Sequence, residues 1–168
     1  MERSAGSGCR VLVMCLALTI VGCAQEPRVW FCPEDSCASQ LVSEMDQATV
    51  SLHVAIYSLT HDDIISAMAG AAGRGVDVKV LAEQEGNDPE LGQQLRSIGI
   101  DFLWDTNPDL MHNKFTIVDT QQVLTGSFNY SWNADLRNDE NLVLLPQPEL
   151  AEQYEAKFKE LFASGETP

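Results

Sequence analysis

Residues 49–59, TVSLHVAIYSL, alternate apolar and polar side chains through their first half and then become almost continuously apolar. That pattern suits a strand near the centre of a sheet, with successive side chains pointing to opposite faces and both faces covered. Such a strand needs helices packed on either side, so the flanking segments decide the architecture.

Towards the N-terminus, Leu41, Val42, Met45 and Ala48 recur at helical spacing behind Asp35 or Ser36, either of which can cap a helix. Ahead of them Val29-Trp30-Phe31 reads as a strand ended by Pro33. Towards the C-terminus, Thr60 resembles an N-cap for a helix through Ile64, Ile65, Met68, Ala69 and Ala72, closed by Gly73 and Gly75. Residues 76–83, VDVKVLAE, form a third strand. Pro89 then opens a helix with Leu91, Leu95 and Ile98 on one face, and residues 100–104, IDFLW, follow as a fourth strand. Strand and helix alternate throughout this half, which predicts an α/β fold with a mixed, largely parallel sheet flanked by helices on both faces.

The second half changes character. Residues 113–119, NKFTIVD, a turn at Thr120-Gln121-Gln122 and residues 123–127, VLTGS, predict a hairpin; residues 141–145, NLVLL, predict a further strand. Pro146 and Pro148 precede a last amphipathic helix carrying Leu150, Tyr154, Phe158, Leu161 and Phe162. No internal boundary interrupts this pattern, so a single domain is expected over residues 29–163, with a polar tether at 24–28 and a tail at 164–168.

Residues 1–23 read differently. Arg3 and Arg10 precede an apolar run from Val11 to Val21 that is too short to span a bilayer, as in a secretory signal. The run ends in Ile20-Val21-Gly22-Cys23, which resembles the bacterial lipobox. That resemblance implies a lipidated Cys23 and a protein exported to the bacterial cell envelope, anchored there by more than one acyl chain and facing the periplasm or the outer surface. Once Cys9, Cys15 and Cys23 are set aside, Cys32 and Cys37 remain. One leftover pair in an exported chain suggests a disulfide. The rival is a metal site completed by His53 or His61, for which no second cysteine pair is present. His53 sits mid-strand among Leu52, Val54 and Ile56 as a core histidine would, and His61 falls in a helix's first turn, where solvation is expected.

The chain carries 25 acidic and 10 basic side chains, for a net charge of −15. Its overall field repels polyanions, and its lysines and arginines form no run of the sort nucleic-acid readers display.

Against that background, residues 111–129, MHNKFTIVDTQQVLTGSFN, stand out. Residues two apart on a strand share a face, so His112 and Lys114 project together while Phe115 and Ile117 point into the core. An imidazole beside an ammonium is poorly suited to a metal cation and well suited to an anion. The lysine can hold a phosphate while the ring attacks phosphorus or delivers a proton. Gly126 permits a sharp turn after the hairpin, and Ser127 and Asn129 can donate hydrogen bonds to phosphate oxygens.

His112-x-Lys114 with Asp119 five residues beyond the lysine, then Gly126-Ser127-x-Asn129 and an acidic residue in Asn138-Asp139-Glu140-Asn141, resembles the signature of the phospholipase D superfamily. One copy is present, as in the branch of the small bacterial endonuclease and the mitochondrial cardiolipin hydrolases. VAIYSLT (54–60), GRGVDVKVL (73–81) and NDENLVLL (138–145) extend the likeness. The resemblance implies the phospholipase D-like fold and a metal-free, cofactor-free phosphodiesterase. His112 would be the nucleophile that forms a phosphohistidine, or the acid that protonates the leaving oxygen. Lys114 and Asn129 would bind phosphoryl oxygens with help from Ser127, and Glu140 would hydrogen-bond a histidine. Asp119 is expected as a structural acceptor more than a chemical participant. Eukaryotic relatives carry a zinc-binding Cys/His insert that has no counterpart here beyond Cys32 and Cys37.

The superfamily uses two histidines and this chain offers one in such a setting, so a homodimer with a shared active site is expected. Three functions follow. A phospholipid phosphodiesterase at a membrane is favoured by the anchor and the acidic surface. An exported endonuclease is disfavoured by net charge, and a non-enzymatic phosphate-binding lipoprotein by the complete set of site residues. Trp104 and Trp132 can line a substrate groove or simply pack.

Overall fold

The structure is a computed structural model and describes residues 25–168. The expected signal over residues 1–23, its lipidated Cys23 and the first residue of the tether lie outside the described residues.

A seven-stranded sheet is built from β1 (Arg28–Cys32), β2 (Ser51–Ile56), β3 (Asp77–Ala82), β4 (Asp101–Trp104), β5 (Lys114–Val118), β6 (Gln122–Gly126) and β7 (Glu140–Leu145). Its spatial order is β1-β7-β6-β5-β2-β3-β4. Only β2–β3 and β3–β4 are parallel neighbours; the other four contacts are antiparallel. Five strands nevertheless run the same way, because only β5 and β7 are reversed. The sheet is therefore mixed, and largely parallel by strand direction though not by pairing. Short hairpin connections at β5–β6 allow antiparallel neighbours, whereas the βαβ crossovers of the first half impose parallel ones.

The helices are α1 (Cys37–Met45), α2 (Asp62–Gly73), α3 (Leu91–Ser97), α4 (Trp132–Leu136) and α5 (Pro148–Ser164). Leu52, Val54 and Ile56 of β2 pack towards α1 and α2, with Leu41, Met45, Ile64 and Met68 fully buried between them. Ala55, Phe115 and Ile117 meet Ala151 and Phe158 of α5 on the opposite face. Both faces are thus covered, and every residue of β5 is buried.

Several local expectations are corrected. The N-cap of α2 is His61, not Thr60. The β5–β6 turn begins one residue earlier than expected, with Asp119 and Thr120 both at φ 54°, the left-handed geometry that matches strand twist in tight hairpins. Residues 164–168 are no free tail: Ser164 ends α5, and Glu166 exchanges two backbone hydrogen bonds with Trp104 at 2.8 and 2.9 Å, extending the β4 edge. Helix α4 was invisible to periodicity because five residues make barely one turn; its signal is Ser131, whose hydroxyl accepts from the Ala134 N–H. Cys32 and Cys37 form a disulfide with both residues buried, which ties β1 to α1 and leaves no thiolate for a metal.

Candidate active site

The N-terminal ends of β5 and β7 and the C-terminal ends of β2 and β6 meet at one end of the sheet, because β5 and β7 run opposite to the rest. Ligand sites in α/β sheets favour this carboxyl end. A cavity of about 360 Å³ opens there, lined by His112, Lys114, Gly126, Ser127, Asn129 and Glu140.

His112 lies in the loop just before β5 and is exposed, its ring tilted against Tyr57 with 4.7 Å between centroids. Lys114, the first residue of β5, is buried, and its Nζ donates to the His112 carbonyl at 2.9 Å. The same ammonium sits 5.1 Å from the centre of the Tyr57 ring. Burial pushes the Lys114 pKa below its ordinary value, and the Glu140 carboxylate opposes that shift. A partly desolvated cation with no carboxylate bonded directly to it is poised to receive an anion.

Gly126 carries φ 153°, and a Cβ there would come within 2.3 Å of the Asn141 carbonyl oxygen, so only glycine lets β6 pass β7 this closely. The passage sets Ser127 in a fixed frame. Its N–H donates to Asn141 Oδ1 at 2.8 Å, and its hydroxyl accepts from the Asn141 N–H at 3.1 Å and donates to Glu140 Oε2. Asn129 completes the rim, and its Oδ1 is buried without a hydrogen-bond partner.

Five of the six expected residues are therefore brought together, with one departure, at Glu140. Glu140 bonds Ser127 and Asn138 rather than His112. Asp119 lies outside the cavity, about 16 Å along β5 from Lys114 at the rise of an extended strand. There its carboxylate accepts from the N–H groups of Thr49, Val50 and Ser51 and from the Thr49 hydroxyl, pinning the hairpin to the start of β2. Burial alone would raise its pKa, but these donors outweigh it and hold the carboxyl below its ordinary value. Its role in this fold is that of a clamp.

Two supports escaped the sequence reading. Tyr57 floors both His112 and Lys114, and follows β2 at the position beside Asn113, whose carbonyl takes its N–H at 3.0 Å. Glu83, 8% exposed, accepts from the Met111 N–H at 2.8 Å and so holds the loop entering His112. Neither has a local motif; both become visible only once β2, β3 and β5 are in register.

The other histidines are also settled by packing. His53 is buried, its Nδ1 paired with Glu155 at 2.8 Å and its ring stacked on Phe158. His61 is not solvated as expected but 1% exposed, because Trp132 stacks on it with 3.7 Å between centroids. Trp104 packs in the core against Phe102.

A mixed sheet with covered faces, carrying one His-x-Lys pair and a Gly-Ser-x-Asn turn at the carboxyl end of its strands, defines an α/β protein with a cavity suited to an anion. Residues 41–162 match the family model described as cardiolipin synthase, PLD-like domain, and the chain belongs to that family. It is 35% identical over 126 residues to the phospholipase D of Rickettsia typhi, covering 74% of this chain and 62% of that relative. It is 29% identical over 129 residues to the mitochondrial cardiolipin hydrolase of Chlamydomonas reinhardtii, covering 74% of this chain and 56% of that relative. The chain thus spans less than two thirds of the length of these curated relatives. Among solved structures, the phospholipase D family member Nuc from Salmonella typhimurium superposes with a TM-score of 0.77 at 33% identity, covering 85% of this chain and 99% of that one.

Proposed function

We propose that the protein is a phospholipid phosphodiesterase working through a phosphohistidine. The observation that carries this reading is the convergence of the exposed His112 ring, the buried Lys114 ammonium and the Ser127–Asn129 turn on one cavity. Lys114 holds the phosphoryl oxygens, with Asn129 beside it. The imidazole of His112 forms a nitrogen–phosphorus bond as the bond from phosphorus to the leaving oxygen breaks, and that oxygen takes a proton from a second imidazole. Water then cleaves the nitrogen–phosphorus bond, returning a proton to the second ring. The second ring is His112 of another copy, since His53 and His61 are both buried away from the cavity. An isologous homodimer would place the two rings on a common axis and leave each Glu140 free to orient a ring across it. The rate should follow a bell-shaped pH curve belonging to the pair.

The net charge of −15 favours a lipid over a polynucleotide, and the lipobox-like Cys23 favours an exported protein anchored in the bacterial envelope, where the substrate lies. A second reading, an exported metal-independent endonuclease, draws on the likeness that spans nearly all of Nuc. The deciding experiment incubates purified protein with labelled phospholipids and with single- and double-stranded DNA in EDTA. Release of a phospholipid head group, abolished by His112→Ala without a change in melting temperature, is the expected result; cleavage of DNA alone selects the endonuclease. Sedimentation should give twice the protomer mass, and a fully active monomer would refute the shared site.

A further inference from the structure

A second cavity among the described residues lies away from His112. About 490 Å³ in volume, it lies between α1, α2 and α4 and is lined by His61, Trp132, Asp46, Asp63 and Asp135 among others. We propose that this cavity binds a primary ammonium group, of the kind carried by free amines and by phospholipid head groups.

The ionisable and aromatic groups there all suit a cation. Three carboxylates face the cavity and no lysine or arginine lines it. Asp135 spends one oxygen on the Ala38 N–H at 2.8 Å, while the other stands 3.7 Å from His61 Nε2, beyond hydrogen-bond length. His61 itself is the independent pointer. It is almost wholly buried, it lines the cavity, and both of its ring nitrogens lack a hydrogen-bond partner. Buried ring nitrogens left bare cost stability, and a neutral imidazole keeps one acceptor for an incoming N–H.

Trp132 supplies the remaining element. One face of its indole covers His61, yet the residue stays 41% exposed at the cavity's edge, an unusual place for the largest side chain. The electron-rich face of an indole attracts ammonium groups, most strongly where neighbouring carboxylates add their charge. This centre is joined to the active site by one turn. Asn129 and Trp132 sit at its two ends, and the Tyr130 carbonyl between them accepts the N–H groups of Thr60 and His61.

The test is calorimetric titration of the full chain, held in nonionic detergent, with ethanolamine as probe and 1-propanol as its neutral isostere. The expected result is saturable ethanolamine binding, at least about tenfold weaker for 1-propanol, and weakened about tenfold by Trp132→Leu and by Asp63→Asn, whose side chain is exposed and whose replacement keeps its shape. His112→Ala should bind as the native chain does, which separates failure here from failure of the phosphodiesterase reading. In that His112→Ala background, short-chain phosphatidylethanolamine binding that is tighter than ethanolamine's and is weakened by Trp132→Leu assigns a lipid head group to this cavity; binding that is weaker than ethanolamine's, or tighter but indifferent to Trp132→Leu, assigns a free amine here. Equal binding of 1-propanol, no saturable heat up to tens of millimolar, or indifference to both variants would overturn the proposal.

Discussion

Asp119→Ala tests whether the aspartate of the motif is a clamp or a chemical participant. Its carboxylate takes four donors: Thr49 N–H at 3.0 Å, Val50 N–H at 2.8 Å, Ser51 N–H at 2.9 Å and the Thr49 hydroxyl at 2.8 Å. Each hydrogen bond to a charged group contributes about 1.5–3 kcal/mol where water is excluded, but Thr49 and Val50 lie at the solvent boundary and water recovers much of the loss. The φ of 54° adds about 1 kcal/mol for alanine, which lacks the local hydrogen bonding that lets aspartate adopt it. The expected cost is about 3–4 kcal/mol, or about 10 °C in melting temperature for a domain of this size.

Asp119→Asn keeps the shape and one acceptor, and should cost about 1–2 kcal/mol. The pH dependence has a definite sign. A carboxyl held below its unfolded value of 3.8 contributes stability that is fully present above that value and lost as pH falls through the folded pKa, so the gap between native and Asn forms should close on acidification below 3.8. Circular-dichroism melts across pH, with turnover measured per folded molecule, decide the matter. An Asn variant that melts like the native protein yet has lost its turnover would refute the clamp.

Lys114→Met should abolish turnover while raising stability by about 1 kcal/mol, read as a higher melting temperature at pH 7, because a buried ammonium is replaced by an apolar chain of similar length. Replacing Cys32 and Cys37 together by alanine should cost about 2 kcal/mol through loss of a short cross-link, and turnover of the folded fraction should persist because neither residue lines the active-site cavity. Tyr57→Leu should lower turnover about tenfold by freeing the His112 ring and removing the face beneath Lys114, with an intact fold by circular dichroism.

By itself the sequence determined the elements and the chemistry that rides on them. Period-2 and period-3.6 patterns located all seven strands and four of the five helices, since burial of one face is written into consecutive residues. His112, Lys114, Gly126, Ser127 and Asn129 were legible for the same reason: they lie on one hairpin and its return, so their spacing in the chain dictates their spacing in space. The tertiary structure decided everything that depends on register between distant segments. It placed Tyr57 and Glu83 under the site, gave Asp119 its donors at the start of β2, gave Glu140 to Ser127, docked Glu166 on β4, and buried His61 beneath Trp132. A side chain's burial and partners are set by which strands and helices meet across the sheet, and local spacing carries no information about residues 28 or 71 positions apart.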